Sequence, residues 1–219
     1  MSDERPRHRD GNEADGRRRP GVKPPGMHFR THRAFAHAVL ICAAMLAPRD
    51  ALSREASPPW VSVELDEESS AARVTAAIDI PAPPQTVYAV MVDCSRALRI
   101  VTGLESCRVI ERSADGTWDV REHVISVNVL LPRIRNVFRS DYDQNRRIRF
   151  RRVDGDLKVS DGEWQLQPLA GGTATRVTYR AQVALSVPVP GLLVREAIRY
   201  DIPSMLVALR RESLESRNK

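Results

Sequence analysis

Two groups in this chain are suited to proton chemistry. Glu122 lies in a stretch from Trp118 to Val127 that alternates in period two with Trp118, Val120 and Val124. If the even positions face a core, Glu122 is a carboxylate in apolar surroundings. Burial then raises its pKa and suits it to proton transfer or to bonding a ligand hydroxyl or carbonyl. The other readings are a rim position, or a pair with an arginine such as Arg108 or Arg135. Tyr142, on the inward phase of the following stretch, is a second candidate donor or acceptor. His123 has the opposite phase to Glu122 and reads as surface. The sequence has no nucleophile triad, Cys-x-x-Cys pair or glycine-rich phosphate loop, so no metal or cofactor is expected and binding is favoured over catalysis. A cyclase or dehydrase needs only positioning and one or two polar groups, so an enzyme using Glu122 or Tyr142 stays as the alternative. A protein-interaction module working through the outer sheet face is the third.

These side chains must be held by elements that the hydrophobic periods outline. Val74, Ala76, Ile78 and Ile80 alternate as a strand. Pro81 to Pro84 then break it and start a helix carrying Val87, Tyr88, Val90 and Met91, because proline is tolerated where the first N–H groups lack partners. A short second helix is expected around Cys94 to Leu98. Six strands follow: Leu104–Arg112, Trp118–Val127, Arg133–Tyr142, Arg146–Val153, Leu157–Leu169 and Ala174–Leu185. Turn signals at Asp115-Gly116, Asp143-Gln144-Asn145, Asp154-Gly155 and Gly171-Gly172 separate them. A bulge is expected near Asp161-Gly162. The last element is a helix from Leu192 to about Glu215, with a stripe of Val194, Ile198, Ile202, Met205 and Leu209 and a bend at Pro203. The layout is α+β, a curved antiparallel sheet of about seven strands with one long C-terminal helix across a face.

Alternation places Trp118 and Glu122, then Ile134, Phe138 and Tyr142, then Ile148 and Phe150, then Val177 and Tyr179 on the covered face. Ile198, Ile202 and Met205 meet them from the helix. The set is aromatic and aliphatic with a few polar tips, which suits either an apolar ligand site or a solid core. Trp164 is a core plug or a cavity wall. The outward arginines, Arg135, Arg139, Arg147, Arg149 and Arg151, read as a solvated face. Two apolar loops, Val129-Leu130-Leu131 and Val187-Pro188-Val189, are expected to form the entrance to a cavity and to touch a membrane transiently, or else to pack as a closed lid.

Four segments carry a resemblance. They are Ile80-Pro81-Ala82-Pro83 running into Val87-Tyr88; Asp154-Gly155-Asp156-Leu157 through Gly162-Glu163-Trp164-Gln165-Leu166; Gly172-Thr173-Ala174-Thr175-Arg176-Val177; and Pro190-Gly191-Leu192-Leu193 leading into a helix ending Leu206-Val207-Ala208-Leu209-Arg210. In order and spacing the chain from Ala72 to Glu215 resembles the START-like (SRPBCC, helix-grip) superfamily, in its polyketide cyclase/dehydrase and coenzyme Q-binding branch. The resemblance implies a cavity between sheet and C-terminal helix for a lipid, isoprenoid quinone or polyketide-like molecule. Lipid carriers, quinone binders and aromatase/cyclases share this fold, so it leaves the activity open.

The rest of the chain bears on compartment and partners. Residues 1–26 are rich in Arg, Pro, Gly and Asp without an apolar period, and read as a disordered or untranslated leader. From Met27 the chain reads as a secretory signal: Arg30 and Arg33, an apolar run from Ala34 to Ala47, and a cleavage site at Ala51-Leu52-Ser53. That run falls short of the roughly 20 residues a spanning anchor needs. A retained anchor or a core helix are the other readings. Residues 54–71 are a polar lead-in, and 72–219 form the START-like domain, exported to the periplasm or beyond. The net charge of +6 is concentrated in residues 1–53, with ten basic and six acidic side chains. This leaves 24 basic against 22 acidic of the chain's 34 and 28, so no nucleic-acid partner is expected. A monomer with an apolar small-molecule ligand is the expected state. Past the signal only Cys94 and Cys107 remain, either as one disulfide or as two buried thiols.

Overall fold

A computed structural model describes residues 57–66, 71–126, 133–187 and 189–217. The leader, the expected export signal and the Val129-Leu130-Leu131 loop lie outside the described residues, as does Pro188. The elements run β1 Trp60–Asp66, β2 Ala71–Ile80, α1 Pro84–Val92, α2 Cys94–Ile100, β3 Leu104–Arg112, β4 Trp118–Ile125, β5 Ile134–Asp143, β6 Arg147–Gly155, β7 Leu157–Leu169, β8 Ala174–Leu185 and α3 Gly191–Arg217. One antiparallel sheet in the order β1-β2-β8-β7-β6-β5-β4-β3 is the result. The α+β layout expected from the periods, and the helix-grip fold the resemblance implies, are the ones observed.

The strand count is eight, not about seven, because the lead-in is not featureless. Val61, Val63 and Leu65 alternate with Ser62 and Glu64, and the segment pairs from Trp60↔Ala77 to Asp66↔Ala71. The acidic run Glu64 to Glu68 makes the segment polar overall and masks this period. The bulge in β7 also moves: the register shifts between Leu157 and Val159, while Gly162 sits in regular pairing opposite Phe150 and Ala181. Glycine is needed there for room, since a Cβ would meet the Arg180 carbonyl and lie 2.8 Å from the Phe150 ring.

The core lies where α1 and the second half of α3 meet β2, β7 and β8. Ile80, Val87, Val90, Val177, Leu206 and Leu209 are fully buried in one cluster. At about 25 cal/mol per Å² of apolar area, each such side chain contributes roughly 1.5–3 kcal/mol. α1 ends where Asp93 turns extended, and the Asp93 carboxylate caps α2 by accepting from Ser95 N at 2.9 Å. α2 is fastened at both ends. Cys94 and Cys107 form a disulfide to β3, with Cα atoms 5.5 Å apart. Arg99 donates from Nε and Nη2 to the two oxygens of Glu212 on α3, at 2.8 and 2.7 Å. Glu212 is buried, and the Arg99 hydrogen bonds hold its carboxyl below the usual range.

Candidate functional site

Between β4–β7 and the helices lies a cavity of about 130 Å³. Phe138, Ser140 and Tyr142 reach it from β5, Ile148 and Phe150 from β6, and Trp164 from β7. Met205 and Leu209 close it from α3; Met91, Ala97, Ile100 and Val101 line it from α1, α2 and the residue after α2. Arg121 and His123 enter from β4. Aromatic contacts fix the floor: Phe138 meets Phe150 edge-on at 6.3 Å, Phe150 stacks on Tyr179 at 6.1 Å, and Trp164 lies 4.3 Å from Tyr179.

Five of the residues expected on the covered face, Phe138, Tyr142, Ile148, Phe150 and Met205, reach this cavity. Tyr179 stands behind it, buried against Phe150 and Trp164. Ile198 and Ile202 pack, partly buried, against the core cluster. Ile134 lies at the far end of β5 opposite Ile125, away from the lining. Of the expected entrance, Val187 is exposed and Val189 half-buried.

Trp118 and Glu122 are on the other face. Residues directly opposite across a ladder share a face, and the pairs are Asp119↔Ser140, Arg121↔Phe138 and His123↔Asn136. The odd positions of β4 therefore face inward and the even ones outward, the reverse of the apolar-phase reading. Glu122 accepts from Arg135 Nε at 2.6 Å and from Arg108 Nη2 at 2.9 Å. The Arg135 hydrogen bond lowers its pKa, so Glu122 is an ionised outer-face carboxylate and not a buried acid. Trp118 lies under the Arg139 guanidinium, 4.1 Å from the ring centre.

The inward phase of β4 carries a buried polar chain. Arg121 donates from Nε to Asp119 Oδ1 at 2.9 Å and from Nη2 to Oδ2 at 2.8 Å. The same Nη2 lies 2.9 Å from the Val92 carbonyl and 2.7 Å from the Tyr142 hydroxyl. Burial is the largest single influence and opposes the Arg121 charge, but the hydrogen bonds and charge interactions of Asp119 and Tyr142 together outweigh it and raise the pKa. Burial also pushes the Tyr142 hydroxyl up, so it stays protonated. Behind this chain is a second hollow of about 160 Å³, lined by Tyr88, Val92, Arg112, Gly116, Asp119, Arg121 and Tyr142. Arg121 and Tyr142 thus line both hollows.

His123, read as surface from the sequence, is a cavity residue. Its ring meets Phe138 edge-on at 4.9 Å, and its buried Nε2 has no hydrogen-bond partner among the described residues. Burial, then the Arg121 charge, lowers its pKa to about 4. Folding therefore favours the neutral ring, because the unfolded chain binds the proton more readily. His123's contribution is whole above its ordinary pKa near 6.5 and is lost as pH falls toward 4. The loss is at most about 3 kcal/mol, and less once screening at a partly exposed ring is counted. Urea midpoints between pH 6.5 and 5 should fall for the wild type and flatten in His123→Phe; parallel profiles would contradict the assignment.

An eight-stranded helix-grip sheet with an apolar cavity under its C-terminal helix is the class defined by this geometry. Residues 80–210 match the family described as polyketide cyclase/dehydrase and lipid transport, and the chain belongs to that family. No curated protein sequence matches it. Among solved structures, a Thermus thermophilus protein is similar at 26% identity and TM-score 0.56, covering 66% of this chain and 98% of its own. The Streptomyces aromatase/cyclase Zhui is similar at 17% identity and TM-score 0.54, covering 68% and 94%. A STAR-related lipid transfer protein from Xanthomonas axonopodis is similar at 17% identity and TM-score 0.62, covering 74% and 96%.

Proposed function

We propose that the protein binds a small apolar, ring-bearing molecule with a hydroxyl or carbonyl group, held between the sheet and α3. The observation that carries this reading is the buried, unpartnered Nε2 of His123 in the wall of an apolar cavity. A buried polar atom left unpaired costs about 1–3 kcal/mol, which a ligand hydroxyl or carbonyl relieves. Ser140 and Tyr142, on the neighbouring strand, offer further polar contacts. A void near 150 Å³ holds a benzene-sized molecule, so about 130 Å³ suits one ring. Lipids, isoprenoid quinones and polyketide-like compounds fit the chemistry of the lining, provided a wall moves to admit the remainder. The lipid-transfer and aromatase/cyclase neighbours support the class of ligand.

A cyclase-type activity is the second reading. Neutral His123 beside the Arg121 guanidinium pairs a base with a positive group able to stabilise an enolate oxygen. Export is part of the proposal, and the Cys94–Cys107 disulfide supports an oxidising compartment. So is transient membrane contact at Val187 and Val189. Calorimetric titration of the full chain should give tighter binding of p-cresol than of its isostere p-xylene, and equal affinities would contradict the part given to His123.

A further inference from the structure

Opposite ends of one short cavity wall are held by the disulfide and by the Glu212 ion cluster. α2 supplies Ala97 and Ile100 to the lining, with Val101 directly after it. The sheet walls are tied by cross-strand hydrogen bonds, and α3 is anchored by fully buried Leu206 and Leu209. α2 is different. It has seven residues, of which only Ala97 is buried, and a helix that short is not stable on its own. The backbone changes direction on both sides of it. Asp93 is extended, and Gly103 has φ +70° at a point where a Cβ would run into the Ser126 carbonyl.

The fasteners are chemically distinct. Cys107 is on the edge strand β3, opposite the cavity residue His123, so its side chain faces α2 and bonds Cys94 at the first turn. At the last turn Arg99 grips Glu212 and Arg211 Nη2 donates to the Arg99 carbonyl at 3.3 Å, while nearer the middle of the helix Arg96 Nη1 lies 3.5 Å from Glu212 Oε2. Both cysteines are half-buried, within reach of a small reductant.

We propose that α2 is the moving wall of the cavity, and that thiol–disulfide exchange at Cys94–Cys107 controls how far it opens. This rests on the cavity being the ligand site. A dithiol reductant supplies two electrons and two protons. One of its thiolates attacks a sulfur of the pair to give a mixed disulfide; its second thiol displaces that bond, leaving Cys94 and Cys107 as thiols and the reductant as a disulfide. With the disulfide intact, the cavity admits one ring. When it is reduced, α2 swings about its Arg99–Glu212 end and ligands of two or three rings enter.

The experiment compares the oxidised full chain, the same protein reduced with dithiothreitol, and Cys94→Ser/Cys107→Ser. The probes are p-cresol, which fits the closed cavity, and N-phenyl-1-naphthylamine, which does not. Reduction is expected to tighten and speed naphthylamine binding on the order of tenfold, as the binding-competent open fraction rises, with p-cresol affinity nearly unchanged. Equal naphthylamine binding in both redox states overturns the proposal. So does a gain that survives Met205→Trp, since a dye outside the cavity ignores a plug inside it. Loss of p-cresol binding in every form would instead strike the ligand-site reading, and the gate with it.

Discussion

Asp119→Ala is expected to lower folding stability by about 3–5 kcal/mol, because it leaves the Arg121 guanidinium buried without its counter-charge. Both side chains are almost wholly inaccessible, with Asp119 at 0% and Arg121 at 5% exposure. The carboxylate takes two hydrogen bonds from Arg121, and the remaining contacts of that arginine, to Val92 and Tyr142, cannot balance its charge. Replacing both ions together, Asp119→Leu/Arg121→Met, should recover most of the loss, since a well-packed apolar pair substitutes for a buried ion pair at little cost. Urea denaturation of the two variants separates the outcomes. If the single variant loses less than about 1 kcal/mol, the level of an exposed pair, the network is not desolvated as described.

The second large effect distinguishes cavity from core within two adjacent residues of α3. Leu206 is fully buried in the cluster of Val87, Val90 and Val177, whereas Met205 lines the cavity. Leu206→Ala should cost about 2–5 kcal/mol, the range for a truncation that opens a void in packed surroundings. Met205→Ala enlarges a space that already exists and removes fewer contacts, so it should cost clearly less while changing ligand affinity. Equal losses with no change in binding would mean that the space under α3 is ordinary core.

Much of the fold was legible because it is carried by local signals. Asp115-Gly116, Asp154-Gly155 and Gly171-Gly172 punctuate the meander, and the limits of β3, β7 and β8 follow from period-two runs between them. The site was legible only in part. On β5 the inward phase is also the apolar one, and Phe138 and Tyr142 reach the cavity from it. On β4 the two criteria conflict. Trp118, Val120 and Val124 are the more apolar set, yet Asp119, Arg121 and His123 face inward, because Arg121 finds Tyr142 on the next strand and the Val92 carbonyl at the end of α1. Those partners lie 21 and 29 residues away in sequence. No local pattern announces them; a Tyr and an Arg on neighbouring inward phases would have been the only clue. The α1 and α2 wall was missed for a related reason: which helix face meets the cavity is set by docking against α3. β1 alternates clearly at Val61, Val63 and Leu65, but the acidic run Glu64 to Glu68 makes the segment polar overall, so its composition reads as a lead-in.

In the proposed function the cavity holds an apolar ring and His123 bonds its polar substituent. Titration calorimetry of p-cresol and p-xylene against the oxidised full chain, repeated on His123→Phe, tests it most directly. The two ligands differ only by a hydroxyl in place of a methyl group. One net hydrogen bond is worth about 0.5–1.5 kcal/mol, so p-cresol should bind up to on the order of tenfold more tightly to the wild type, and His123→Phe should erase the preference while keeping p-xylene bound. Equal affinities in the wild type, or a preference that persists without His123, would contradict the role given to that residue; binding of neither ligand would contradict the cavity as a ligand site.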